Sequence, residues 1–168
     1  MKQVKQITFA ARPSGLPDAS IFRIDEAALP DAKEGELQLR GMFYSVDPYM
    51  RGRMNDAKSY VPPFQVGQAL EGGVVAEVVS SRANGFDPGD VVLGPYLPWR
   101  TEMTVPATAV QKIDANIAPP SYYLGVLGMT GLTAYIGLMD IGRPKAGETV
   151  VVSGAAGAVG SVVGQIAK

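Results

Sequence analysis

The chain has 168 residues, with 15 Lys and Arg against 16 Asp and Glu and neither Cys nor His, so its formal net charge is −1 at pH 7. Without Cys or His it can form no disulfide and no Cys/His zinc site, and no imidazole can act as a general base. A net charge so close to zero excludes the basic field that non-specific nucleic-acid binding requires.

Short strands dominate the pattern before residue 115. The turn Asp87-Pro88-Gly89-Asp90 is typical of a break between two of them, because Pro fixes φ and Gly supplies a positive φ. Short strands at about ten-residue spacing, with turn residues between them, indicate a β-barrel or β-sandwich. β-branched and apolar stretches predict these strands at residues 4–9, 21–24, 36–40, 73–79, 91–93, 101–105 and 109–112.

Helical patterns replace strands in the last third of the chain. Ser121 is predicted to cap a helix over residues 122–127, and a second helix over residues 130–138 follows a break at Gly128. Residues 122–139 carry no charge, which leaves a membrane span as an alternative. The glycines of this stretch favour a pair of short buried helices instead, since small residues allow close backbone approach.

A strand, a glycine-rich turn and a helix follow one another near the end of the chain. The apolar residues 149–153 predict a strand buried on both faces, and a helix is predicted over residues 161–168. Between them, Gly154, Gly157 and Gly160 would let the backbone approach a pyrophosphate at a helix N-terminus. The spacing differs from strict G-x-G-x-x-G, so a tight turn that binds no nucleotide is the alternative.

The glycine-rich unit has a further consequence for domain organisation. A single βα unit cannot form a parallel sheet, because its strand has no partner. We therefore expect this chain to be the N-terminal part of a longer protein. In this chain alone, residues 150–168 are expected to be loose, docked on the preceding domain, or paired with another copy through an exposed strand edge.

Five segments together carry a resemblance to a known family. They are residues 44–54 (YSVDPYMRGRM), 70–75 (LEGGVV), 86–90 (FDPGD), 124–135 (LGVLGMTGLTAY) and 147–168. In these segments the chain resembles the N-terminal half of the zinc-independent medium-chain dehydrogenases/reductases. The matching branch contains leukotriene B4 dehydrogenase, prostaglandin reductase, curcumin reductase and 2-alkenal reductase.

The resemblance implies a mainly β fold with some α. A GroES-like β-barrel catalytic domain is expected over residues 1–120, followed by the first βα unit of a Rossmann domain over residues 121–168. The implied activity is NADPH-dependent reduction of the C=C bond of α,β-unsaturated ketones or aldehydes, with this fragment inactive alone. A quinone oxidoreductase of the same superfamily and a non-catalytic truncated domain are the alternatives.

The resemblance also implies partners and a location. The expected substrate is a small enone or alkenal, and the expected cofactor is NADP(H). The full-length protein is expected to be a cytoplasmic homodimer that contacts neither nucleic acid nor membrane. No metal ion is expected, because hydride addition to an enone needs only a hydrogen-bond donor at the developing enolate.

Candidate site residues follow from the same resemblance. Tyr49 is expected to donate a hydrogen bond to the substrate carbonyl, and Arg51 and Tyr60 are expected to contact the substrate. Tyr49 and Arg51 each have a structural alternative: a buried packing tyrosine whose hydroxyl bonds a backbone group, and a surface charge or ion pair. Glu71 is expected to form an ion pair. The expected cofactor contacts are Met50, Met129, Thr130, Gly157, Ala158, Val159 and Gly160.

Overall fold

The computed structural model describes residues 2–168. They form two compact units, which divide between Ile113 and Asp114. The first unit consists mainly of strands and the second of short helices, so the predicted mainly β fold with some α is confirmed. The domain boundary expected at residue 120 stays a prediction.

The strands of the first unit form two antiparallel sheets. One sheet pairs β1 with β2, and the other has the order β6-β3-β4-β5-β7. Single bridges from Gln6 to Arg100 and from Thr8 to Ala69 connect β1 to segments of the larger sheet's loops. The bounds are β1 (Lys2–Phe9), β2 (Phe22–Leu29), β3 (Glu36–Tyr44), β4 (Glu71–Ser81), β5 (Val91–Pro98), β6 (Glu102–Pro106) and β7 (Gln111–Lys112).

The predicted strands are present, but several have different ends. The strand predicted over residues 21–24 runs to Leu29, because Asp25 and Glu26 pair with Gln6 and Lys5 of β1 instead of ending the strand. Ile21 belongs to a 3₁₀ turn before it. Cross-strand pairing therefore overrides the unfavourable strand propensity of acidic residues.

The strand predicted over residues 109–112 is shorter than expected. Ala107–Ala109 forms a 3₁₀ turn, and β7 contains only Gln111 and Lys112. The turn predicted at residues 86–90 is confirmed, with Gly89 at a φ of 92° and the Asp90 amide donating to the Asp87 carbonyl.

Alternate residues of the larger sheet form the main core. Their side chains project from one face, as the two-residue period of a strand requires. A second cluster joins the end of β1 to helix α1 (Tyr49–Arg53) and contains Phe9, Ile21, Met50, Met54, Phe64 and Leu70. The main core contains Leu37, Leu39, Val74, Ala76, Val78, Val92, Leu97, Met103 and Val105.

The second unit contains four short helical segments. They are a 3₁₀ helix (Pro120–Leu124), α2 (Met129–Tyr135), a π-helix (Ile136–Gly142) and α3 (Gly160–Ile166). The predicted break at Gly128 is confirmed: a Cβ there would overlap the Tyr123 carbonyl oxygen, so only glycine allows this close turn.

Two predictions for this region are wrong. Ser121 lies inside the 3₁₀ helix, whose first flanking residue is Pro119, and it caps nothing. The helices are also not buried as a pair, because Leu127, Met129 and Leu132 are exposed. Over residues 2–168, no helix is long and apolar enough to cross a membrane.

Residues 149–153 form no strand, contrary to the prediction. Their backbone groups make no hydrogen bond with another described residue, and Val151 is 90% exposed. A strand forms only where a neighbouring strand accepts and donates its backbone hydrogen bonds. The apolar sequence alone cannot supply that neighbour.

The main core should tolerate truncation poorly. Leu39→Ala removes a side chain that is 0% exposed, and we expect it to lower the free energy of unfolding by about 2–5 kcal/mol. Leu16→Ala is the control, because Leu16 is 91% exposed and should change stability little. Urea unfolding followed by circular dichroism measures both. Equal losses would contradict the core assignment.

Hydrogen exchange should separate residues 149–153 from the sheet. We expect their amides to exchange rapidly, because no described group accepts from them, whereas amides of β4 should be strongly protected. Exchange measured by NMR at several protein concentrations also tests pairing between copies. Protection that does not depend on concentration would contradict the unpaired conformation.

Candidate functional site

Helix α1 connects β3 to β4 and carries the first candidate residues. Asp47 and Pro48 start it: Pro48 has a φ of −56°, which suits a helix start, and the Met50 amide donates to the Asp47 carbonyl at 3.0 Å. Ser45 Oγ donates to Asp47 Oδ2 at 2.8 Å, which fixes this turn. Since residues four apart share a helix face, Tyr49 aligns with Arg53.

Tyr49 has a half-buried side chain and a free hydroxyl. No described residue accepts a hydrogen bond from it. Burial raises the pKa of Tyr49, and the negative charge of Asp47 raises it further, while the Arg53 cation acts in the opposite direction. The Tyr49 hydroxyl is therefore protonated at neutral pH and available as a hydrogen-bond donor.

The guanidinium of Arg53 is the best-anchored charge near Tyr49. Arg53 is 5% exposed, and its Nη2 donates to Glu71 Oε1 at the start of β4, so the predicted ion pair of Glu71 is confirmed. Its Nε donates to the Pro62 carbonyl at 2.8 Å, and the guanidinium lies 4.1 Å from the centre of the Phe64 ring. The remaining Nη1 is buried and has no partner among residues 2–168.

The two other predicted substrate residues lie in different environments. Arg51 donates from Nη1 to Asn55 Oδ1 at 3.0 Å and from Nη2 to the Gly15 carbonyl at 2.7 Å, so its guanidinium already holds two protein groups. Tyr60 is 86% exposed in the loop that follows α1. Substrate contact by Arg51 and Tyr60 stays a prediction.

An apolar cavity of about 640 Å³ lies beside the same helix. Met50, Arg51 and Met54 line it, together with Trp99 and other apolar residues, whereas Tyr49 does not. A smaller cavity of about 360 Å³ shares four lining residues with it. Helix α1 thus presents Met50 and Met54 to an apolar space, Arg53 to Glu71 and Phe64, and Tyr49 to the edge of the second core cluster. The four shared residues are Ile7, Ile24, Val46 and Trp99.

Met50 also belongs to the second core cluster, where its side chain is buried. A Cβ on Gly72 would overlap the end of that side chain, so Gly72 allows Met50 to pack against β4. Contact between Met50 and a cofactor stays a prediction. No group of three or more acidic, His or Cys residues that could hold a metal ion occurs in the described part of the chain.

In the second unit, Met129 and Thr130 begin α2. The Met129 side chain is exposed, and Thr130 Oγ1 donates to the Gly125 carbonyl at 2.8 Å. The Thr130 hydroxyl therefore stabilises the turn before the helix. Its predicted cofactor contact, like that of Met129, is not tested by this geometry.

The glycine-rich turn has a compact backbone. Gly154 has a φ of 61°, and the Gly157 amide donates back to its carbonyl at 2.9 Å. A Cβ on Gly160 would overlap that same carbonyl, so the turn requires glycine there. Ala158 is exposed and Val159 half-buried, and their amides donate to no described residue.

These observations fit a dinucleotide phosphate group. The side chains of residues 154–158 end at Cβ or lack it, so the backbone is open to a ligand. Free N–H groups before a helix suit a negatively charged oxygen, and the amides of Ala158 and Val159 are such groups, whereas the Gly157 amide is used within the turn. Pyrophosphate contact by Gly157, Ala158, Val159 and Gly160 stays a prediction.

The sequence pattern indicates no particular role for Arg53, although its four-residue spacing from Tyr49 is a signal that could single it out. The pairing with Pro62 and Phe64 could not be read from the sequence, since it depends on how the loop folds back on α1.

Comparison with known proteins adds independent information. A family model described as the N-terminal domain of oxidoreductase matches residues 5–113. The chain is 58% identical over 164 residues to YfmJ of Bacillus subtilis (strain 168), which covers 98% of the chain and 48% of YfmJ. It is 46% identical over 159 residues to the NADPH-dependent curcumin reductase of Escherichia coli (strain K12), covering 95% and 46%.

A solved structure shows the same similarity. The structure of CurA from Vibrio vulnificus in complex with NADPH superposes with a TM-score of 0.85 at 43% identity, over 96% of this chain and 48% of CurA. The chain spans about half the length of the curated relatives it matches.

The ionisation of Tyr49 can be measured directly. We expect its pKa to exceed the ordinary tyrosine value of about 10, and Asp47→Asn to lower it, because a negative charge that favours the neutral phenol is removed. Phenolate absorbance during alkaline titration, taken as the difference from Tyr49→Phe, isolates this group. As the pH rises through this raised pKa, the Tyr49 hydroxyl ionises and can no longer donate a hydrogen bond.

Glu77→Gln provides the control for the Tyr49 titration. Glu77 lies in an exposed ion pair with Arg40 and does not affect the pKa of Tyr49, so this substitution should leave the titration unchanged. A pKa that rises with Asp47→Asn would overturn the electrostatic assignment.

Proposed function

Because the chain belongs to the family of N-terminal oxidoreductase domains, in the medium-chain dehydrogenase/reductase branch of curcumin and prostaglandin reductases, we propose that it forms the catalytic part of an NADPH-dependent reductase. The substrates are α,β-unsaturated ketones or aldehydes, and the reaction saturates their C=C bond. The single observation that carries this proposal is the protonated, half-buried Tyr49 hydroxyl with no acceptor among the described residues.

Tyr49 acts as the hydrogen-bond donor to the substrate carbonyl. When bound, NADPH supplies the hydride that is added to the β-carbon, which moves negative charge onto the carbonyl oxygen. A neutral phenol in a partly desolvated site stabilises that charge more than it stabilises the uncharged substrate. A proton then reaches the α-carbon, so the products are the saturated carbonyl compound and NADP⁺.

The composition of the chain supports this chemistry over alcohol oxidation. A developing enolate needs only a hydrogen-bond donor, whereas alcohol oxidation favours a Lewis acid or an imidazole base. The chain has no His or Cys to supply either of these. The proposal therefore includes no metal ion.

Cofactor binding is assigned to the second unit and to α1. The open glycine-rich turn supports a pyrophosphate contact through Gly157, Ala158, Val159 and Gly160. The nicotinamide end is assigned to Met50, Met129 and Thr130, and the substrate to Tyr49, Arg51 and Tyr60. The whole enzyme is proposed to be a cytoplasmic homodimer, with its catalytic domain over residues 1–120 and its cofactor domain beginning at residue 121.

The test uses a full-length enzyme that carries this chain. We expect it to bind NADPH in a fluorescence titration and to reduce an α,β-unsaturated ketone. Tyr49→Phe should lower kcat by about 10²–10³-fold, the usual loss for one oxyanion donor, because the ring stays and only the hydroxyl is removed. Tyr135→Phe is the matched control, because it removes a hydroxyl from an exposed side chain of α2.

The outcomes distinguish the competing functions. An enzyme that reduces quinones but not enones would be a quinone oxidoreductase, and the substrate class proposed here would be wrong. A full-length protein that binds no NADPH would indicate a non-catalytic domain. Equal activity of Tyr49→Phe and Tyr135→Phe would remove Tyr49 from the reaction.

A further inference from the structure

Arg53 connects three segments of the first unit through one guanidinium. It extends from α1, donates to Glu71 at the start of β4, and donates to the Pro62 carbonyl at the end of the loop after α1. The Phe64 ring lies against the guanidinium, and the Phe64 amide donates to the Arg53 carbonyl at 2.7 Å. Both the backbone and the side chain of Arg53 therefore hold residues 62–64.

This arrangement is poorly suited to stability alone. Nη1 of Arg53 is buried without a partner in the described residues, and an unsatisfied buried donor is unfavourable. Only the Arg53 partner of the ion pair is buried, whereas the Glu71 side chain is 42% exposed, so solvent screens the attraction while Arg53 is still desolvated. An apolar side chain of similar length could fill the same space against Phe64. The position of the guanidinium thus needs another explanation.

We propose that Arg53 is a positioning residue, which fixes Tyr49 and the loop of residues 55–63 relative to Glu71. Tyr49 lies one helical turn before Arg53 in the same short helix, so an anchored Arg53 also fixes the backbone from which the Tyr49 side chain extends. The loop that Arg53 holds carries Tyr60, whose exposed ring can reach solvent or a ligand. The consequence for catalysis rests on the proposed function, whereas the positioning itself does not.

The geometry requires a guanidinium rather than a general positive charge. Nε and Nη2 point in different directions and contact acceptors on two separate segments, Pro62 and Glu71. A lysine ammonium is a point charge without the planar fork, and it cannot stack on Phe64 in the same way. Arg53→Lys therefore keeps the charge and removes the bridge.

The first test is made on this chain and involves no cofactor. In Arg53→Lys we expect the Phe64 amide to exchange with solvent at least about tenfold faster by NMR, while amides of β4 keep their protection. The Arg53 Nε–H of the unmodified chain should give a persistent signal at a pH where exposed guanidinium groups exchange away. Arg40→Lys, in the exposed pair with Glu77, is the matched control and should change neither signal.

The second test uses the full-length enzyme. We expect Arg53→Lys to raise the KM for the enone about tenfold and to lower kcat, with a smaller effect on the KM for NADPH, because most of the proposed cofactor contacts lie in the second unit. Arg53→Met keeps apolar contact with Phe64 and should fold with nearly unchanged stability, yet show the same kinetic loss.

Each result decides the proposal. Unchanged Phe64 exchange in Arg53→Lys overturns positioning whatever the enzyme does. Faster exchange with no enone reduction by the unmodified enzyme supports positioning and overturns the proposed function instead. Unfolding of both Arg53→Lys and Arg53→Met, seen as loss of β4 protection, shows that the residue serves stability and overturns the proposal.

Discussion

The first unit depends on the pairing of β3 and β4, which are hydrogen-bonded on both edges. β3 has β4 and β6 as neighbours, and β4 has β3 and β5. Their backbone groups are therefore satisfied without water, and their alternate side chains can be fully buried. β6 and β5 pair directly with these two strands, and helix α1 lies in the connection between them.

The position of the candidate site follows from that pairing. Helix α1 lies in the connection from β3 to β4, and the pairing of these strands extends to Tyr44 and Val74 on either side of that connection. The Ser45 amide donates to the Gly73 carbonyl, so the register continues to the turn that starts α1. Glu71, the first residue of β4, is thereby brought to Arg53. The strand register places Glu71 close to Arg53, and the ion pair forms because the two side chains are already within reach of each other.

The same constraint explains which features could be predicted from sequence. Strands at residues 36–40 and 73–79 could be predicted because alternating side chains mark a half-buried strand whose neighbours lie in the same unit. Residues 149–153 have an equally strong strand pattern, yet they form none, since no described strand lies beside them. The sequence pattern indicates which face of a strand would be buried. Whether the strand forms depends on a neighbouring strand, which a local pattern cannot reveal.

Some features of the candidate site could likewise be predicted from the sequence, and others could not. The need for glycine in the turn at residues 154–160 was predictable, because the absence of a side chain is itself the property that matters. The environments of Tyr49 and Arg53 were not predictable from the sequence. They depend on how α1 packs against β4 and the loop that follows the helix. Burial and the negative charge of Asp47 raise the pKa of Tyr49, while Glu71 and Pro62 hold the Arg53 guanidinium. The Arg53 cation lowers the pKa of Tyr49 and the Glu71 carboxylate raises it, so the two charges of the ion pair act on the phenol in opposite directions. An ion pair, unlike a lone cation, can therefore anchor α1 near Tyr49 with its effects on the phenol opposing each other.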